Sequence, residues 1–195
     1  MPRHRPDLPS DEELALRARG GCRESFEGLL RRFQVPVLHF LRQRGAGNDA
    51  EDLVQETFIR AYTRLSGYCA KRRFSAWLFT IAYRVCINHH RRPQPARGEA
   101  SPEAIASVAP QPPEAASTAE ERRGLWDLAA RVLSSEEYTA VWLHYVEDLS
   151  AREIAAVLAR SRTAVKTMLF RARQRLLPRP PGAGSVRIST TALVA

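Results

Sequence analysis

With 195 residues, 44% hydrophobic content and a formal charge of +9, the chain is long enough for one or two small globular cores and basic enough to expect a polyanionic partner, either nucleic acid or an anionic membrane surface. Its longest clear apolar run, Trp77 to Tyr83, falls far short of the roughly 20 residues a membrane span needs. No apolar segment follows Met1-Pro-Arg-His-Arg-Pro6, so neither membrane insertion nor a secretory signal is expected, and a cytoplasmic location is.

Residues 1–10 are expected to be disordered. Helical pattern starts at Ser10-Asp-Glu-Glu13, where Ser at the cap and Glu three residues on form a capping box, and Gly20-Gly21 ends that helix. Phe26, Leu29, Leu30, Phe33, Val37, Phe40 and Leu41 then follow an amphipathic helical rhythm. Pro36 falls inside it and lacks a backbone donor, so a kink or two abutting helices are expected. Cys22, Cys69 and Cys86 are odd in number, widely spaced and without a Cys-x-x-Cys pair, which argues for reduced thiols.

After the Gly45-Ala-Gly47 turn, acidic and basic residues are sorted sharply. Asp49-Ala-Glu-Asp-Leu-Val-Gln-Glu56 carries four carboxylates and no cation. A helix is expected here, capped by Asn48 or Asp49, with Leu53, Val54, Thr57, Phe58 and Ala61 on one side and Asp52, Gln55 and Glu56 together on the other. Such a face suits either solvent or a basic partner. From Arg60 to Arg92 every charged residue is cationic, and Tyr62, Tyr68, Phe74, Trp77, Phe79 and Tyr83 lie between them. A second helix runs from Phe74 to Arg92 and stops at Pro93. Its aromatic residues suit a core, or stacking on unpaired bases while the cations follow phosphates.

Residues 93–119 hold Pro93, Pro95, Pro102, Pro110, Pro112 and Pro113 among Ala, Ser and Glu, with no aromatic residue, the composition of a flexible linker. Helical pattern returns at Glu120, with Leu125, Leu128, Ala129 and Val132 on one stripe. Capping boxes at Ser134-Ser-Glu-Glu137 and Ser150-Ala-Arg-Glu153 start two further helices. The turn Ala159-Arg160-Ser161 leads into a last helix with Val165, Met168, Leu169, Ala172 and Leu176 inside. A short capped helix, a tight turn and a basic helix make a helix-turn-helix. Arg162, Thr163, Lys166 and Thr167 on the last helix are then placed for base edges, and Arg171 and Arg173 for phosphates. The tail 178–195 is expected to be disordered.

Asp52-Leu-Val-Gln-Glu-Thr-Phe-Ile-Arg-Ala61, Phe74-Ser-Ala-Trp-Leu-Phe-Thr-Ile-Ala82 and Arg91-Arg92 resemble region 2 of bacterial sigma factors of the extracytoplasmic-function (ECF) group. Leu149-Ser-Ala-Arg-Glu-Ile-Ala-Ala-Val-Leu158, Thr163-Ala-Val-Lys166 and Arg171-Ala-Arg173 resemble region 4 of the same group. The resemblance implies an all-α protein of two small helical domains, 10–92 and 120–177. Its function would be to bind RNA polymerase core, direct it to promoters, and recognise and melt the −10 element. Asp52, Gln55 and Glu56 would dock on the β′ clamp helices, with the β flap a further contact. Lys71, Arg72, Arg73, Trp77, Asn88, Arg91 and Arg92 would engage the −10 element, and Arg162, Thr163, Lys166, Thr167, Arg171 and Arg173 the −35 element. An anti-sigma factor would be a further partner.

Some residues depart from the family's pattern. Ala159 stands where Gly is usual, and in a left-handed conformation it costs about 1 kcal/mol relative to Gly. Arg84 and Asn88 stand where Asn and Asp are frequent, so no base preference at −10 carries over. Two other functions fit parts of the pattern. A free-standing helix-turn-helix regulator has no need of an acidic docking helix. A metal-dependent nuclease using His89 and His90 is disfavoured because adjacent helical residues diverge by about 100°. No cofactor, metal site or catalytic residue is expected.

Overall fold

The computed structural model describes residues 9–91 and 116–176. The expectations for residues 1–8, for Arg92, for most of the linker and for the tail lie outside them. Eight α-helices and two 3₁₀ turns make up the regular structure of these residues.

Four helices form the first lobe: α1 (Asp11–Arg19), α2 (Arg23–Gln43), α3 (Ala50–Arg64) and α4 (Phe74–Arg91). Ser10 caps α1 with both bonds of the capping box in place. Gly20 caps its other end, and the following Gly21 has φ 97°, a conformation that favours a residue without Cβ. Of the two alternatives at Pro36, two abutting helices are not formed: α2 is a single helix through the proline. Its apolar side, with Leu29, Phe33, Val37, Phe40 and Leu41 all buried, anchors it on both sides of the proline. At roughly 1.5–3 kcal/mol per buried large side chain, this outweighs one missing backbone bond.

The start of α3 also differs from expectation. Gly47–Asp49 forms a 3₁₀ turn, and Asp49 occupies the cap without a side-chain cap bond. Its carboxylate instead lies 3.3 Å from His89 Nε2 at the far end of α4. The first N–H of α4 is likewise satisfied from a distance: Phe74 N donates to Glu12 of α1 at 2.9 Å.

The second lobe contains α5 (Ala116–Val132), α6 (Ser135–Tyr145), α7 (Ala151–Val157) and α8 (Arg162–Leu176). The helix starts four residues before Glu120. Ser134 and Ser150 form complete capping boxes. Leu125 and Ala129 are buried as the α5 stripe requires, whereas Leu128 and Val132 are 37% and 38% exposed, so only half of that stripe enters the core. Arg175 on α8 pairs at 2.7 Å with Glu137, buried on α6, and Arg160 in the turn pairs with Glu136 at the same distance. These ties fix the helix-turn-helix against α6.

The cores of the two lobes are continuous. α4 packs on α7, and α2 meets α6. Cys22 and Cys69 are exposed, Cys86 is buried, and none is bridged.

Candidate polymerase and nucleic-acid interface

The acidic face lies on α3. Leu53, Thr57, Phe58 and Ala61 are buried on its inner side, which turns Asp52 and Gln55 outward to solvent and leaves Glu56 half-exposed. Glu56 is ion-paired with Arg60 one turn on. Ile59 and Tyr62 are 64% and 56% exposed, and at about 100° per residue Ile59 falls between Gln55 and Glu56 on the same stripe. The face is therefore an apolar strip rimmed by carboxylates. Sequence reasoning missed Ile59. The signal available was one apolar residue on the side opposite the buried stripe.

Basic and aromatic residues of the first lobe separate by burial. Phe74 and Phe79 are fully buried, and Tyr68 is 2% exposed; these are core. Trp77 is half-buried, its ring braced by Tyr68 and Phe74 at centroid distances of 5.3 and 5.6 Å. It walls a concavity of about 470 Å³ whose other lining residues are Gly67, Cys69, Lys71 and Arg72. A fixed aromatic wall beside two exposed cations suits an unstacked base with its phosphates.

Along α4, Arg84, Asn88 and Arg91 are exposed and share helical phase with Trp77, so the pocket opens into one polar stripe running down the helix. Arg73 sits at its upper end but points elsewhere: Nη1 donates to the carbonyl oxygen of Asp148 in the second lobe, with the Asp148 carboxylate at 3.4 Å.

On the second lobe, Ser161 Oγ accepts from Ala164 N at 3.1 Å and starts α8. Ala159 adopts φ 52°, so the turn is left-handed even with a Cβ at that position. Val165, Leu169, Ala172 and Leu176 are buried, so Arg162, Thr163, Lys166, Thr167 and Arg171 emerge together on the exposed side. Arg173 is tied within the lobe, its Nε donating to Tyr145 Oη at 2.8 Å. Phe170, 62% exposed, lies in the same phase as Thr163, Lys166 and Thr167. It was also missed, hidden by its position beside buried Leu169.

Sigma-70 region 2 matches residues 29–95, and sigma-70 region 4 matches residues 124–176. The ECF RNA polymerase sigma factor BldN of Streptomyces coelicolor is 31% identical over 185 residues, covering 89% of this chain and 70% of BldN. The chain belongs to the ECF RNA polymerase sigma factors. The sigma-E factor of Escherichia coli K12 is 28% identical over 176 residues, 85% of this chain and 91% of that protein. Among solved structures, CnrH in complex with the cytosolic domain of CnrY matches with TM-score 0.56 and 26% identity, over 86% of this chain and 95% of the other. As a sigma factor the protein directs RNA polymerase to promoters, and promoter DNA and the polymerase are its partners. Among the described residues no helix is long and apolar enough to cross a membrane, and none of their His, Cys, Asp and Glu groups is arranged to hold a metal ion.

Proposed function

We propose a division of labour among three surfaces of this sigma factor. The α3 face, Asp52, Gln55 and Glu56 around Ile59, docks on the β′ clamp helices of polymerase. The pocket of Lys71, Arg72 and Trp77 captures an unstacked base of the −10 element, with Arg73, Asn88, Arg91 and Arg92 following the strand, and so sustains melting. The α8 face of Arg162, Thr163, Lys166, Thr167 and Arg171 enters the major groove at −35. Arg173 holds a phosphate there after exchanging its bond to Tyr145, and Phe170 supplies an apolar contact of the kind thymine methyl groups accept. The β flap takes the remaining surface of the second lobe.

The observation that carries this is the pocket, where a braced indole and two cations meet beside a polar helix stripe. The protein acts without catalysis, in the bacterial cytoplasm and at the nucleoid. An anti-sigma factor is its inhibitor; the support is that CnrH, similar over most of this chain, was solved bound to another protein.

Run-off transcription with purified bacterial core polymerase and a pool of promoter fragments tests the proposal. Discrete transcripts that need the added protein, and that vanish with Trp77→Ala and Arg72→Ala together, are expected. An intact permanganate-reactive bubble in that double variant would remove the pocket from melting.

A further inference from the structure

Lys71-Arg-Arg73 sets three cations immediately before α4, where the helix dipole and the unpaired N–H groups favour negative charge. Arg73, the last residue before the helix, has no side-chain oxygen with which to cap it. The acceptor comes from α1 instead: Glu12 Oε1 accepts from Phe74 N at 2.9 Å. A carboxylate on a backbone N–H makes a charge-assisted bond, stronger than a neutral one. Two turns further along α1 and in the same helical phase, Arg19 reaches the other end of the same segment. Its Nη1 donates to the Tyr68 carbonyl at 3.0 Å.

Between these two anchors lie Cys69, Lys71 and Arg72 of the pocket wall. Within the segment, Arg72 N donates to the Cys69 carbonyl at 3.0 Å and Tyr68 Oη to the Arg72 carbonyl at 2.8 Å, while the Tyr68 ring packs on Phe74 and Trp77. These contacts give the segment its internal shape, and the two bonds from α1 set where that shape sits in the lobe. The brace is itself fixed. Leu14, Ala15 and Ala18 of α1 are buried, and Arg32 of α2 pairs with Asp11 at 2.6 Å and donates to the Pro9 carbonyl at 3.0 Å. Helix α1 lies ahead of residues 29–95, which match region 2, so its part in the lobe is read from these contacts.

We infer that α1 is a positioning brace for promoter opening: Glu12 and Arg19 hold the segment from Tyr68 to Phe74 so that Lys71 and Arg72 already stand beside the Trp77 ring when an unstacked base arrives. The inference rests on the reading of that pocket as the site of −10 base capture. Both are positioning residues that act through the pocket without touching DNA. An untied segment would have to be ordered at the moment of capture, at a cost in backbone entropy, and holding it in place beforehand removes that cost from binding. Cations that suit the phosphates disfavour the start of α4, and the Glu12 carboxylate offsets that conflict.

The full-length protein with core polymerase tests this on a promoter selected by run-off transcription, used both as a duplex and with its −10 element opened in advance by mismatches. On the duplex, Glu12→Ala and Arg19→Met should each lower the permanganate-reactive fraction by about tenfold, the order of one charge-assisted hydrogen bond, with co-elution with core retained. Glu12→Gln keeps an oxygen for Phe74 N and should lie nearer wild type, whereas loss of a negative charge alone would treat Ala and Gln alike. On the opened template, where melting no longer has to be sustained, run-off transcription by both variants should return toward wild type. Equal losses on the two templates, or equal losses for Glu12→Ala and Glu12→Gln, would overturn the brace. If the Trp77→Ala, Arg72→Ala double variant opens the duplex as wild type does, the pocket reading falls and the brace with it. If that double variant fails while Glu12→Ala and Arg19→Met open normally, the brace alone is overturned. Far-ultraviolet circular dichroism identifies a Glu12 variant that has lost its fold. Arg19→Met, which alters an exposed side chain and leaves the start of α4 capped, then decides.

Discussion

Two neighbours on α8 separate affinity from readout. Lys166 and Phe170 are both exposed on one helical stripe, but one brings a charge and the other an apolar ring. Replacing Lys166 with Ala should weaken promoter binding and reduce the magnitude of the salt-dependence slope by about 1, as expected for the loss of one cation at the DNA. Phe170→Ala should leave that slope unchanged and flatten discrimination at one −35 base pair, measured by fluorescence anisotropy on a set of single-base variants. A changed salt slope for Phe170→Ala would place it elsewhere than on a base. Ala159 offers a stability test at the same scale. With φ at 52° it occupies a conformation that disfavours Cβ, so Ala159→Gly should stabilise the second lobe by about 1 kcal/mol and raise its thermal midpoint by a few degrees. No gain would mean that Gly's greater freedom in the unfolded chain offsets the relief.

At the scale of elements, α3 is built with two independent sides. Its buried side holds the lobe together through Leu53, Thr57, Phe58 and Ala61; on its outer side Glu56 pairs with Arg60 of the same helix. Exposed ion pairs contribute little to stability, typically about 0–1 kcal/mol. Replacing Asp52, Gln55 and Glu56 with Ala should therefore preserve the circular dichroism spectrum and the melting temperature within a few degrees while abolishing co-elution with core polymerase. Retained co-elution would return the face to solvent. For α7, a seven-residue helix, the terminal bonds matter more. Ser150→Ala removes the hydroxyl half of the Ser150–Glu153 capping box, which accepts from Glu153 N, and should cost about 1 kcal/mol, read as an earlier urea midpoint with unchanged slope.

For the molecule as a whole, His39 makes the packing of the two lobes sensitive to acid. Burial, and next the nearby Arg42 guanidinium on its own helix, lower its pKa from 6.5 to about 4. Across the interface it faces the Tyr138 hydroxyl at 3.2 Å, which burial and then Asp127 keep protonated by raising its pKa, and the uncharged Trp142 ring. The folded protein thus excludes a proton that the unfolded chain accepts. The stability this contributes is present above about pH 6.5 and is lost as pH falls toward 4. The thermal midpoint of the wild type should fall between pH 7.5 and 5.5 by more than that of His39→Phe. Equal responses would assign the change to other groups.

Local chemistry was largely legible along the chain. Three capping boxes, at Ser10, Ser134 and Ser150, form as their spacing predicts, because a hydroxyl three residues before a Glu satisfies backbone donors without help from the rest of the fold. The opposite faces of α3 and α8 follow from helical periodicity in the same way, and the blocks that carry the family resemblance are contiguous in sequence. What failed were inferences needing a distant partner. Pro36 does not divide α2 into two abutting helices, since packing on both sides of it outweighs the lost bond. Asp49 turns from its own helix to His89, and Glu12 satisfies the start of α4 from another helix altogether. Of the aromatic residues in the basic segment, only contacts across the lobe decided that Phe74 and Phe79 are core while Trp77 walls a pocket. The sequence by itself determined the helices, their caps and which faces are charged, because these depend on neighbours within one or two turns. Tertiary structure alone decided that His39 meets Trp142 and that Arg73 meets Asp148, because burial and pairing between residues some 75–100 positions apart arise only when both lobes fold and pack.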